Sequence, residues 1–184
     1  LGDERDYYKE DSAVQRMILR DIAEFSDFPQ ERIELGIDGC GVPVFAVPLH
    51  NMATSFVKLV APELLQTPAL AHAAKRNVDI VSRHPENLMD ANATCGVLCR
   101  DPNIIGKVGA QGVYTFGLKK ERLGFACKVY DGQSAYFPLI IAHTLELLSY
   151  DNKETIERLR AAFPDEVTNA TGAVVGIKKA AFSF

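Results

Sequence analysis

The amino-acid sequence predicts an α+β domain in which an antiparallel sheet packs against helices. Apolar residues recur at helical spacing in several segments. The strand-like segments between them pair as hairpins rather than alternating with helices in regular βαβ units. The chain has 184 residues, 47% of them apolar, which is enough to bury one hydrophobic core. We therefore expect residues 1–184 to form a single domain.

The predicted helices begin with a segment that follows Ser12, a favourable N-cap residue, and continues to about Phe25. Its apolar side chains fall on one face at helical spacing. Four more helical segments follow, over about residues 51–60, 68–82, 134–150 and 152–163.

The predicted strands begin with RIELGID (32–38), an apolar segment typical of a short buried strand. VPVFAVPL (42–49) is expected to be extended, because its prolines discourage a helix. GKVGAQGVYTFGLKK (106–120) and LGFACKVYDG (123–132) predict the two arms of an antiparallel hairpin. The last segment, TGAVVGIKKAAFSF (171–184), predicts a final sheet strand.

Charge and composition argue against several classes of function. The formal net charge is −4, and the sequence has no run of Lys and Arg, so we expect no nucleic-acid partner. No segment predicts a membrane span or a signal peptide. The four cysteines do not form a dense disulfide framework, so we expect a cytoplasmic protein. Because the sequence starts with Leu1, we also expect that it belongs to a longer protein.

Two segments carry candidates for chemistry. In IDGCGVPVF (37–45), glycines surround Asp38 and Cys40, and their backbone freedom allows a turn that directs both side chains into a cleft. The alternative is a tight turn around a small buried thiol. Lys107 has glycines on both sides along a predicted strand, where its amine can act as a base beside a serine nucleophile. The alternative is an ordinary exposed strand lysine.

A third candidate is the S-x-x-K spacing of Ser55 and Lys58, which also occurs in serine hydrolases. Together with Lys107, this pair would make a penicillin-recognising type of site. However, Ser55 is predicted to lie inside a helix rather than at its start, and so short a pattern arises often by chance.

Three segments resemble the thermolabile type II L-asparaginase family of rhizobia and other bacteria. They are GIDGCGVPVFAVPLHNMA (36–53), KVGAQGVYTFGL (107–118) and FACKVYDGQSAYFP (125–138), and the resemblance extends from about Asp11 to Ser149. It implies a fold similar to serine β-lactamases and glutaminases. It also implies an amidohydrolase that converts L-asparagine to L-aspartate and ammonia through Ser–Lys pairs.

The resemblance implies roles for five residues of this sequence. Lys107 would be the catalytic partner of a serine. Cys40 would be a zinc ligand, together with an upstream CSGKH-type segment, and Asp38 would bind the substrate ammonium or steady the metal. Gly109 and Gln111 would contact the substrate, although Gln111 stands where the family usually has a glutamate.

The sequence also departs from the family. The catalytic serines and the remaining zinc ligands would lie upstream of Val14, and they are not found here. We therefore expect this chain to be the C-terminal portion of such a protein, inactive alone, with L-asparagine as its small-molecule substrate and a homodimer as its assembly. The alternative is a non-catalytic remnant that binds an amino acid or a protein. The choice between asparagine and glutamine also stays open, because one methylene gives about 1–3 kcal/mol of discrimination.

Overall fold

The computed structural model describes residues 4–184, and within them the chain forms six α-helices and seven β-strands. This arrangement confirms the α+β prediction. The helices are α1 (Ala13–Ser26), α2 (Leu49–Val60), α3 (Pro68–Arg83), α4 (Thr94–Leu98), α5 (Phe137–Leu147) and α6 (Lys153–Ala162). The strands are β1 (Glu34–Ile37), β2 (Pro43–Ala46), β3 (Ile104–Gly109), β4 (Val113–Leu118), β5 (Leu123–Lys128), β6 (Glu166–Thr168) and β7 (Val174–Ile177).

All five predicted helices are confirmed. The first, α1, begins as its N-cap predicts, because the Ser12 hydroxyl accepts a hydrogen bond from the Gln15 N–H at 3.2 Å. It ends at Asp27, whose left-handed backbone (φ 49°) stops the helix. The short helix α4 was not predicted from the sequence.

The central sheet has three antiparallel strands in the order β3-β4-β5. The prediction of one hairpin arm over residues 106–120 was wrong, because this segment is itself a hairpin that turns at residues 110–112. In the observed register, Lys107 lies opposite Thr115, and Thr115 lies opposite Ala126.

The hydrophobic core lies on the face of the sheet that packs against α4, α5 and α6. It contains Leu98, Tyr114, Phe137 and Leu145, each at most 2% exposed. The Tyr114 and Phe137 rings meet with their centroids 5.1 Å apart. Helix α2 packs on the opposite face, so the sheet is covered on both sides.

Two glycines let α2 approach the sheet closely. A Cβ atom on Gly117 would lie 2.9 Å from the Phe56 carbonyl oxygen, and one on Gly124 would overlap the Ala53 carbonyl oxygen. The helix backbone therefore rests directly on strands β4 and β5.

Strands β1 and β2 form a separate two-stranded sheet. The extended conformation of both is confirmed, but the expectation that β1 is buried was wrong. All four residues of β1 are exposed, and the Ile37 side chain is 65% exposed, because no third strand pairs with this hairpin among the described residues. The predicted final strand is confirmed over β7, which pairs with β6.

A buried carboxylate ties the central sheet to the last helices. Asp101, which is 2% exposed, precedes β3 and accepts hydrogen bonds from Tyr150, Asn152 and Thr155 at 2.6–2.9 Å. Its second oxygen accepts from the Asn103 N–H at 2.9 Å. These bonds connect the entry to β3 with the segment between α5 and α6 and with the first turn of α6.

None of the helices within residues 4–184 combines the length and the apolar character that crossing a bilayer requires.

Candidate functional site

The turn between β1 and β2 presents Asp38 and Cys40 side by side at the surface. The Asp38 N–H donates to the Val42 carbonyl at 3.0 Å, and the Gly41 N–H donates to the Asp38 carbonyl at 2.9 Å. Gly41 has a φ of 83°, a backbone conformation that glycine adopts without strain. The glycine-rich sequence therefore makes a tight turn, and both Asp38 and Cys40 are exposed rather than buried.

The two side chains interact. A hydrogen bond from the Cys40 thiol, together with the backbone N–H groups of Gly39 and Cys40, lowers the pKa of the Asp38 carboxyl. The turn thus offers an anionic carboxylate beside a thiol at an accessible surface, where the carboxylate can bind a cationic group.

Asp38 and Cys40 do not by themselves complete a zinc site. Structural zinc usually takes four ligands, and catalytic zinc takes three from the protein. Within the part of the chain that the structure describes, no group of three His, Cys, Asp or Glu side chains is placed to hold a metal. Zinc at this turn would need ligands from outside residues 4–184.

The second group of candidate residues lies on β3 and the turn after it. Lys107 is exposed, and its Nζ donates to the neighbouring Val108 carbonyl at 2.7 Å. Gly109 lies opposite Val113, and a Cβ on it would meet the Val113 Cβ at 3.2 Å. Across residues 4–184, Lys107 forms no ion pair, so its charge is free to interact with a ligand.

Gln111 occupies the turn between β3 and β4 with a φ of 55°, followed by Gly112 with a φ of 74°. The Gly112 carbonyl accepts a hydrogen bond from the Val129 N–H at 2.7 Å. A Cβ on Gly132 would lie 3.1 Å from the Gln111 Oε1. The turn therefore rests on the segment after β5, and the GAQG and K-x-x-DG motifs form one structural unit.

The structure brings the predicted site residues together in two groups. Lys107, Gly109 and Gln111 share one hairpin, and Asp38 and Cys40 share another, which packs against α1. None of the hydrogen bonds and ion pairs found in residues 4–184 joins the two groups.

The S-x-x-K pair has another explanation. The Ser55 hydroxyl donates to the Asn51 carbonyl at 3.1 Å, inside helix α2. Lys58 is 8% exposed, and its Nζ donates to the Glu24 carbonyl at 2.6 Å and to the Asp27 carboxylate. Because both polar groups bond elsewhere, the geometry does not support a penicillin-recognising site built on them.

Lys128 is a candidate that the sequence did not reveal. Its Nζ donates to the Gln111 carbonyl and to the Val129 carbonyl, the second at 3.0 Å. The sequence signal was the K-x-x-DG motif, but that motif assigns no role to its lysine. The contact with the Gln111 turn becomes visible only when β3, β4 and β5 are placed in register.

Comparison with known families gives a match over most of the chain. The family model described as L-asparaginase II matches residues 2–180. This range is longer than the 11–149 that the sequence motifs covered. A search of curated proteins finds no match.

Proposed function

Because the chain belongs to the L-asparaginase II family, we propose that it forms part of an amidohydrolase that converts L-asparagine to L-aspartate and ammonia. The match over residues 2–180 is the observation that carries this proposal. We further propose that the chain is the C-terminal portion of a longer protein with a fold similar to serine β-lactamases and glutaminases.

In the proposed reaction, Lys107 is the base that accepts the proton of a catalytic serine, and that serine lies outside this sequence. The serine oxygen attacks the side-chain amide carbon, and its proton passes to the neutral Lys107 amine. Lys107 then gives that proton to the leaving nitrogen, so that ammonia departs and an acyl-serine ester remains. Water hydrolyses the ester, which releases L-aspartate and restores the serine hydroxyl.

The geometry of β3 supports this role for Lys107. Its Nζ is exposed and donates to a main-chain carbonyl, so that no carboxylate has to be displaced when a substrate arrives. Gly109 and Gln111 follow on the same strand and its turn. We assign substrate contacts to both residues.

Asp38 and Cys40 complete the proposal. The lowered pKa of Asp38 keeps its carboxylate anionic, which suits it to bind the α-ammonium group of an amino acid. We propose that Cys40 binds zinc together with ligands from the longer protein, and no step of the reaction depends on that metal.

A cytoplasmic location is supported by the four unpaired cysteines. Assembly as a homodimer is part of the same proposal.

Ammonia release from L-asparagine by the full-length protein tests the proposed function. We expect release well above background for the wild type. Lys107→Ala should reduce turnover by about 10²- to 10⁴-fold, the range for loss of a positioned general base. Lys120→Ala is the matched control, because this exposed lysine lies at the opposite end of the same sheet.

Near-normal turnover in Lys107→Ala would remove this lysine from the reaction. No ammonia release from a folded full-length wild type would contradict the enzyme itself. The alternative, a non-catalytic remnant that binds an amino acid or a protein, would then be favoured. One observation supports this alternative: no serine hydroxyl in residues 4–184 bonds to Lys107.

A further inference from the structure

We infer that Lys128 is a substrate-binding residue whose ammonium receives the α-carboxylate of the amino-acid substrate. This inference rests on the proposed function, because it places the carboxylate relative to the reacting amide at Lys107. It assigns a role to the lysine of the K-x-x-DG motif.

The register of the sheet places Lys128 and Lys107 on the same face. Lys107 shares a cross-strand row with Thr115 and Ala126, and Lys128 shares the next row with Gly109 and Val113. Side chains in one row, and those two residues apart on one strand, point to the same side of a sheet. Both ammonium groups therefore belong to one face, at the end of the sheet where β3 turns into β4.

The Lys128 side chain extends to the turn between β3 and β4. It starts on β5, yet its Nζ reaches the Gln111 carbonyl in the turn between β3 and β4. The turn lies beside the segment after β5, because the Val129 N–H donates to the Gly112 carbonyl at 2.7 Å. Lys128 is exposed and lies on the edge strand β5, where a lysine often serves only to protect the sheet edge. The ammonium of Lys128 is instead held by two main-chain carbonyls, of Gln111 and Val129.

The charge of Lys128 is not neutralised by an acid. Within the described residues it forms no ion pair, and its two acceptors are neutral carbonyls. The nearest acid in sequence, Asp131, bonds in its own turn, where it accepts from the Gln133 N–H at 2.9 Å. An ammonium has three donor hydrogens, so one remains for an anionic ligand.

The spacing suits a small amino acid. Lys107 and Lys128 are separated by two strand spacings, about 10 Å across the sheet, and by one row, about 7 Å along the strands, so their Cα atoms lie about 12 Å apart, a gap that two long side chains can narrow. L-asparagine with one hydrogen bond of about 2.9 Å at each end can bridge such a gap. Its amide then lies at Lys107 and its carboxylate at Lys128.

Two substrates and three variants of the full-length protein test this inference. The substrates are L-asparagine and 3-aminopropanamide, which has the same amide and amine but lacks the carboxylate. For Lys128→Met we expect the KM for L-asparagine to rise about 10- to 100-fold with kcat little changed, the effect of losing one charge-assisted hydrogen bond. The KM for 3-aminopropanamide should not change. Lys128→Arg should retain most of the affinity, and Lys120→Met should behave as the wild type.

Equal losses for both substrates in Lys128→Met would overturn the inference, because they would indicate a change in the turn rather than a lost carboxylate contact. Unchanged kinetics would overturn it as well. If the wild type does not hydrolyse L-asparagine, the proposed function fails, but calorimetry with L-aspartate still decides the role of Lys128. Weaker L-aspartate binding in Lys128→Met than in the wild type would support the carboxylate site, and equal binding, or none to either protein, would overturn it.

Discussion

The carboxylate of Asp38 and the thiol of Cys40 occupy one exposed turn, where they interact. The thiol donates a hydrogen bond to the carboxylate and lowers its pKa. Carboxylate oxygen and cysteine sulfur are both ligands that zinc accepts. The pair therefore supplies two side chains of the kinds that zinc accepts, exposed on one hairpin.

Cys40→Ser tests whether the turn binds zinc. We expect the full-length wild type to contain zinc and the variant to contain less, because a serine hydroxyl is a much poorer zinc ligand than a thiolate. Metal analysis by mass spectrometry measures the difference. Cys127→Ser is the matched control, since this thiol is partly buried against the hydrophobic core. Equal zinc content in wild type and Cys40→Ser would remove Cys40 from the ligand set.

For single residues, the sequence indicated which side chains are candidates for chemistry better than it indicated their exposure and their neighbours. The exposure of Cys40 and Lys107 could not be derived, because glycine-rich segments allow both exposed and buried turns. Lys128 was missed for a definite reason. With residues 106–120 interpreted as one strand, the row that it shares with Gly109 could not be recognised, because register decides which side chains share a face.

The N-terminus of α3 is capped by a residue from another helix. Its own N-cap, Thr67, makes no side-chain capping bond. Instead, Glu24 of α1 accepts hydrogen bonds from the N–H groups of Gln66 and Thr67 at 2.8 Å and from the Thr67 hydroxyl at 2.6 Å. A carboxylate at this position also complements the helix dipole.

Glu24→Gln should lower the free energy of unfolding by about 1 kcal/mol at pH 7, the usual size of a capping contribution. The hydrogen bond from the Thr67 hydroxyl, and then that from its N–H, lower the pKa of Glu24 from its ordinary value of 4.5. A lowered pKa stabilises the folded state above 4.5, and this stabilisation disappears as pH falls through the folded value.

Urea unfolding of wild type and Glu24→Gln at pH 7 and at pH 3 measures this contribution. The difference between the two proteins should shrink at the lower pH. Glu157→Gln, on the exposed face of α6, is the control and should change stability little at either pH. A difference that is the same at both pH values would show that the Glu24 charge does not contribute to the cap.

At the element scale, most helices could be predicted because their apolar spacing and caps are local properties. The turn at residues 110–112 could not, since it lacks the Asn-Gly or Asp-Gly signal of a short hairpin, and Gln111 adopts a positive φ that few side chains favour. The exposure of β1 was also unpredictable. An apolar strand is buried only if another element covers it, and that depends on the rest of the fold.

At the scale of the whole molecule, Asp101 links the central sheet to the last two helices. It is buried, and four donors from three parts of the chain surround its two oxygens. Burial is the main reason that the pKa of the Tyr150 hydroxyl is raised, which keeps this donor protonated. Nothing in the local sequence DPN at residues 101–103 indicates that the three side-chain donors, 49–54 residues away, converge on Asp101.

Asp101→Ala should lower the free energy of unfolding by about 3–5 kcal/mol, because it leaves several buried donors without an acceptor. Urea denaturation measures the change, and an unaltered m-value would show that both proteins unfold by the same transition. Asp151→Ala is the matched control, an exposed aspartate beside the same cluster. A loss below about 1 kcal/mol would mean that water replaces the carboxylate at little cost.

Gly117 and Gly124 have a consequence for any activity-based scan of this protein. Their missing side chains let the backbone of α2 rest on the sheet, so a larger residue at either position would push the helix outwards. A screen that records ammonia release alone would score both positions as intolerant, alongside Gly109 in the proposed site. A second readout, of folded protein abundance, is needed to separate these glycines, because Gly117 and Gly124 keep a helix docked and Gly109 is proposed to contact substrate.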